Sequence, residues 1–115
     1  MPVLKNQTQE KVLFSNLKIA DGFFSRGIGL LGKAGLTSEE ALWLIPGNSV
    51  HTFFMKFSIA VIFVDKQNQV VKILPDMKPN KLVMPVWKAH SVIECNANHE
   101  QLKNINVGDK LHVGH

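Results

Sequence analysis

Arg26 and Lys33 are the cations whose spacing suggests chemistry. With Gly22 and Gly29 they fall at three- and four-residue steps, so a helix would align all four along one stripe. A guanidinium in such a strip gives planar bidentate contacts to a carboxylate or phosphate, and glycines permit close approach. The structural alternative is that the glycines allow tight helix packing, Arg26 pairs with an internal carboxylate and Lys33 is solvated. Glu94 is the matching acid. An extended strand puts His90, Val92 and Glu94 on one face and Ser91, Ile93 and Cys95 on the other, so Glu94 is either solvated or buried and paired. Arg26 is the one guanidinium in the chain.

A second group lies in the segment from His51 to Asp65. If its first part is extended, His51, Phe53, Met55 and Phe57 face one way and Thr52, Phe54, Lys56 and Ser58 the other. His51 could act as an acid/base or as a hydrogen-bonded group at the rim of the core. Trp43, Trp87, Met77 and Met84 could line a pocket beside these polar groups, or serve as ordinary core and flap. The candidate ligand-binding set is therefore Arg26, Lys33, His51, Thr52, Met55, Trp87 and Glu94.

Other chemistries find little support in the spacing. His51 and Met55 would share a strand face but stand about 13 Å apart, too far for one ion. His112 and His115 would point to opposite sides of a strand, as would His90 and Cys95, and neither HExxH nor paired CxxC motifs occur. No metal or cofactor is expected. Cys95 follows Val92 and Ile93 without a glycine-rich elbow, which reads as an inert buried thiol rather than a nucleophile. Asp65 and Asp109 read as turn residues rather than as a catalytic carboxylate pair.

The 115 residues suit a single domain, 1–115, without a linker, repeat or low-complexity stretch. A net charge of +4 raises nucleic-acid binding, but the twelve lysines are dispersed and form no basic run or aromatic-rich motif. The charge reads as a solvated surface. No apolar run is long enough to span a membrane, and the first residues lack the pattern of a signal peptide. A cytoplasmic location is the expectation, or an exported one if such a signal has been removed.

Stepping along the chain, residues 1–11 are polar and are expected to form a loose arm. Residues 12–14 and 16–20 read as short strands, and Asp21 can cap a helix from about Gly22 to Gly32. Residues 41–45 form an apolar strand. Ile59 to Val64 lack polar alternation, so both faces should be covered. The polar reversal at Asp65–Gln69 predicts a hairpin between residues 61–64 and 70–74. Pro75, Pro79 and Pro85 punctuate an irregular flap or edge. A strand at 91–95, a short helix at 98–104 and a turn at 107–111 into a last strand complete the pattern. The fold class is α+β, mostly β: a compact antiparallel or mixed sheet, or a partly closed barrel, of about six or seven short strands with two short helices.

Several blocks occur in one order: Ser25-Arg26, Gly29-Leu30-Leu31-Gly32-Lys33, His51-Thr52-Phe53-Phe54-Met55, Phe63-Val64-Asp65, Ser91-Val92-Ile93-Glu94 and Val107-Gly108-Asp109. Over residues 16–113 they resemble the domain of unknown function 192 family. The resemblance implies little chemistry, since that bacterial and archaeal family is uncharacterised and some of its members carry signal peptides. This chain has Lys33 where the family often has Arg, Ser58 for Pro, Ala60 for Asp, and Ala97 or Asn98 for Gly.

The resulting functional reading is a small soluble domain acting as a non-catalytic binding or interaction module. Its partner would be a small anionic or carbohydrate ligand, or a protein, and not nucleic acid. Two alternatives stand beside it. One is an enzyme with His51 as acid/base and Arg26 as anion clamp. The other is an accessory subunit that holds a protein through a sheet edge.

Overall fold

The computed structural model describes residues 2–20, 35–47, 49–52 and 55–114. Among them ten strands follow in chain order: β1 Val3–Asn6, β2 Lys11–Phe14, β3 Asn16–Ala20, β4 Glu40–Leu44, β5 Val50–His51, β6 Ile59–Val64, β7 Val70–Met77, β8 Leu82–Val83, β9 Ser91–Asn96 and β10 Leu111–Gly114. They form a five-stranded sheet ordered β3-β4-β9-β6-β7, a three-stranded sheet β10-β1-β2 and a two-stranded ribbon β5-β8. The large sheet is mixed: β3 and β4 are parallel and its other pairs antiparallel. A parallel pair requires a crossover connection. The expected helix from Gly22 to Gly32 falls in that connection and lies outside the described residues.

Hydrophobic pattern explains the centre of the sheet. All six side chains of β6 are buried, because the strand sits between β9 and β7 and both faces are covered. Its hairpin with β7 is closed by Asp65, whose Oδ1 accepts hydrogen bonds from the backbone N–H of Gln67 at 2.8 Å and of Gln69 at 3.0 Å. Val64 faces Val70, and Ile62 faces Ile73. β7 runs on through Pro75 to Met77, which an edge strand tolerates because the missing N–H is not needed by a neighbour.

The two faces of this sheet have different covers. On one, Ala41, Trp43, Ala60, Ile62, Ile93 and Cys95 pack with Leu4, Leu13, Phe14 and Leu111 of the three-stranded sheet. On the other, Leu42, Val61, Phe63 and Val92 pack with Val83 of the short β8 and with Met55, Phe57, Val86 and Ala89, which come from connecting segments.

Three expectations are corrected. Residues 3–6 of the expected loose arm are β1, paired with β2 and β10, and both Leu4 and Asn6 are fully buried. Their polar composition hid the strand because its support comes from the distant β10. The strand count exceeds the six or seven expected, since β1 and the short β5 and β8 carry no alternation of their own. The expected helix at 98–104 is a 3₁₀ turn, Glu100–Asn104, capped by His99. Among the described residues there is no α-helix, and the strand order does not close into a barrel.

Candidate functional site

Glu94 lies in β9, near the middle of the large sheet, directly opposite Leu42 of β4 and Val61 of β6. Cross-strand partners share a face, so its side chain joins the Met55 and Phe63 side rather than the Trp43 side. The residue is only 7 % exposed. No described residue gives it a hydrogen bond or ion pair. Burial, which penalises the charged form, pushes its carboxyl up to about 7.

The other two acids in the blocks that recur in the family are engaged. Asp65 closes the β6–β7 turn. Asp109 is buried, and its Oδ2 accepts from Asn6 Nδ2 at 2.8 Å, Gln9 Nε2 at 2.7 Å and the Asn106 backbone N–H at 2.9 Å. Desolvation raises its carboxyl, but those three hydrogen bonds outweigh it and hold the group below its ordinary value. The adjoining Gly108 has a φ of 96°, a conformation that favours glycine. The Val107-Gly108-Asp109 block is thus a clamp between the β1–β2 turn and the start of β10. Sequence reasoning identified the turn but not its buried donors, because Asn6 and Gln9 lie about a hundred positions away.

Thr52 is fully buried and fastens the connection that follows β7. Its hydroxyl donates to Lys78 O at 2.6 Å and accepts from Lys81 N at 2.9 Å. Its backbone N–H donates to Lys81 O, and its carbonyl accepts from Asn80 N, both at 2.8 Å. The hydroxyl of Thr52 is therefore occupied by backbone. Beside it, His51 is placed by the backbone pairing of β5 with β8, opposite Leu82. Met55 is buried in the cluster on Glu94's face.

Trp87 is not a wall of a buried site: it is 90 % exposed. Arg26 and Lys33 lie outside the described residues, and with them the expected Arg26–Glu94 pair. Of the candidate set, the structure brings Glu94 and Met55 to one face and leaves Trp87 on the outside. Ala60 faces Cys95 on the opposite side of the sheet from Glu94. An acid at position 60, where the family often has Asp, would therefore not compete for Glu94's partner.

The remaining reactive groups are quiet. Cys95 is fully buried, and desolvation together with the nearby Glu94 charge pushes its thiol up to about 12, far from the thiolate a nucleophile needs. His99 is structural, with Nδ1 accepting from Gln101 N at 3.0 Å, Nε2 lying 2.7 Å from Ser38 O and the ring edge-on to Phe14. Trp43 Nε1 donates to Ser91 Oγ at 2.8 Å inside the core. Among the described residues no three His, Cys, Asp or Glu side chains group as metal ligands would. A shallow depression of about 290 Å³ lined by Pro46, Gly47, Ala89 and His90 lies beyond one end of β9 and does not include Glu94.

A mixed five-stranded sheet backed on one face by a three-stranded sheet, with a buried carboxyl on the other, defines a β-rich class of domain. The chain belongs to the domain of unknown function 192 family, described as an uncharacterised ACR, whose profile matches residues 3–113. A UPF0127 protein of Thermococcus sibiricus is 32 % identical over 114 residues, covering 95 % of this chain and 73 % of that protein. A protein of unknown function from Novosphingobium aromaticivorans superposes with a TM-score of 0.82 at 21 % identity, over 97 % of this chain and 84 % of the other. A Sinorhizobium meliloti protein, described provisionally as a transcription regulator, gives 0.80 at 13 % identity over 97 % and 91 %. At these identities the structural likeness establishes the fold alone.

Proposed function

We propose that this protein is a non-catalytic binding module for a small anionic carbohydrate or hydroxy acid. Its site is built around Glu94 on the sheet face shared with Met55, and Arg26, Lys33 and His51 complete the polar set. The observation that supports this reading is a carboxyl in the central strand, 7 % exposed, that no described residue pairs. A carboxyl held this far from water resists ionising, and such groups cluster where function uses them. With its proton leaving at about pH 7, it presents both an O–H donor and acceptor oxygens, which suits a ligand rich in hydroxyls. Arg26 and Lys33 suit the ligand's negative charge.

The test follows the ¹³C resonance of the Glu94 carboxyl during titration with glucuronate, citrate and glucose. The expected result is that glucuronate or citrate shifts the resonance and that Glu94→Gln abolishes the binding. The reading is lost if none of the three moves the resonance while Arg26→Ala and Glu94→Ala couple by more than about 1 kcal/mol in denaturant unfolding. That outcome would make Glu94 half of a structural ion pair.

A further inference from the structure

The connection from Lys78 to Lys88 has a composition and an orientation that the Glu94 reading does not use. Its inward side chains Val83 and Val86, with Ala89 just beyond, pack against the buried cluster on Glu94's face. Its outward ones are large and apolar: Leu82 is 58 % exposed, Met84 70 % and Trp87 90 %. Lys81 and Lys88, both exposed, bracket them. No Asp or Glu occurs from Met77 to Ile93. A soluble surface ordinarily scatters single apolar side chains and mixes charge signs, whereas here three large ones share a short stretch bounded by one sign of charge.

We infer that this connection docks the protein on an anionic phospholipid surface. Its six residues between the two lysines are far too few to span a bilayer, but they suit shallow insertion at the headgroup boundary. Tryptophan favours that boundary because its ring is amphipathic, and lysines there keep their ammonium groups among the headgroups while their stems lie along apolar material. Charge complementarity selects the lipid: the acid-free, lysine-bracketed stretch is attracted to anionic headgroups and gains little from zwitterionic ones. The segment is also pre-arranged. Thr52 fixes the turn at Lys78–Lys81 and β5 pairs with β8, so inserting Leu82, Met84 and Trp87 requires no folding of the loop.

The experiment measures binding of the full chain to vesicles of phosphatidylcholine with phosphatidylglycerol and to vesicles of phosphatidylcholine alone, by co-sedimentation and tryptophan emission. Trp43 is buried, so a blue shift on binding reports Trp87. Binding is expected for the phosphatidylglycerol vesicles, weakened by salt. Met84→Ser/Trp87→Ser should lower it about tenfold or more, and Lys81→Glu/Lys88→Glu should abolish it. All four positions are exposed, so circular dichroism should show folded variants, and an unfolded double variant is replaced by Trp87→Ser alone. Absence of binding at low salt, equal binding to both vesicle types, or binding that survives Trp87→Ser and Lys81→Glu/Lys88→Glu would overturn the inference. Exclusive retention of an acidic protein by the wild-type loop, without vesicle binding, would also overturn it.

Discussion

Both faces of the large sheet bury aliphatic side chains but are finished differently. The face bearing Trp43 and Ile62 is closed by a second hydrogen-bonded sheet, and its polar groups have partners, as in the Trp43 to Ser91 contact and the Asp109 clamp at its margin. The face bearing Val61 and Phe63 is covered by connecting segments, and it contains Glu94, unpaired by any described residue. Regular sheet-on-sheet packing interdigitates apolar side chains, whereas a cover made largely of connecting segments leaves room for a polar group such as Glu94. The first face carries the regular packing that stabilises the fold, and the proposed binding would use the second.

The largest effect should come from breaking the closed face. Phe14→Ala removes a fully buried ring that touches His99, and denaturant unfolding should show a loss of about 4 kcal/mol. A loss under about 1 kcal/mol would mean that the three-stranded sheet is not an integral part of the core.

On the other face the sign should reverse. Because Glu94 titrates near 7 in the folded protein, above the ordinary range for a glutamate, the folded state holds a proton that the unfolded state has already released. Stability should therefore be full below about pH 4.5, fall as pH rises toward 7, and level off above it, with a total change of order 3 kcal/mol. Glu94→Gln should abolish this slope and be more stable than the wild type at pH 8. A wild-type curve already flat between pH 5 and 8 would show that a cation compensates the carboxylate, with Arg26 the first candidate.

The smallest effect concerns the cover itself. Thr52→Val keeps the shape of the side chain but leaves Lys78 O and Lys81 N without their hydroxyl partner, for a loss of about 1 to 2 kcal/mol. Amide hydrogen exchange should accelerate at Lys81 while the β6 amides stay protected. Uniform acceleration across β6 and β9 would mean that the cover and the sheet open as one unit.

Legibility followed the range of the interactions. The hairpin around Asp65 was readable because an Asx turn and two apolar runs are adjacent in the chain, and β9 was readable from its apolar composition. The 3₁₀ turn looked like a helix because capping and local hydrogen bonding begin the same way in both. β1 was missed because Lys5 and Asn6 are polar. Asn6 is nevertheless buried, since Asp109 and the carbonyl of Asn104 receive its amide. Thr52 was singled out as a ligand-binding candidate, and its buried hydroxyl serves the backbone of a turn almost thirty residues away.

By itself the sequence determined the buried strand at Ile59–Val64, the alternation that separates Glu94 from Cys95, the mostly β class, and the ordered blocks that mark the family. Those features depend on period-two geometry and on neighbours in the chain. Only the tertiary structure decided that β3 and β4 run parallel, that a second sheet closes one face, that Glu94 is buried rather than solvated, and that Trp87 points outward. Each of these depends on strand order and on which distant segment covers which face, and a one-dimensional pattern of apolar residues is equally compatible with either side being the wet one.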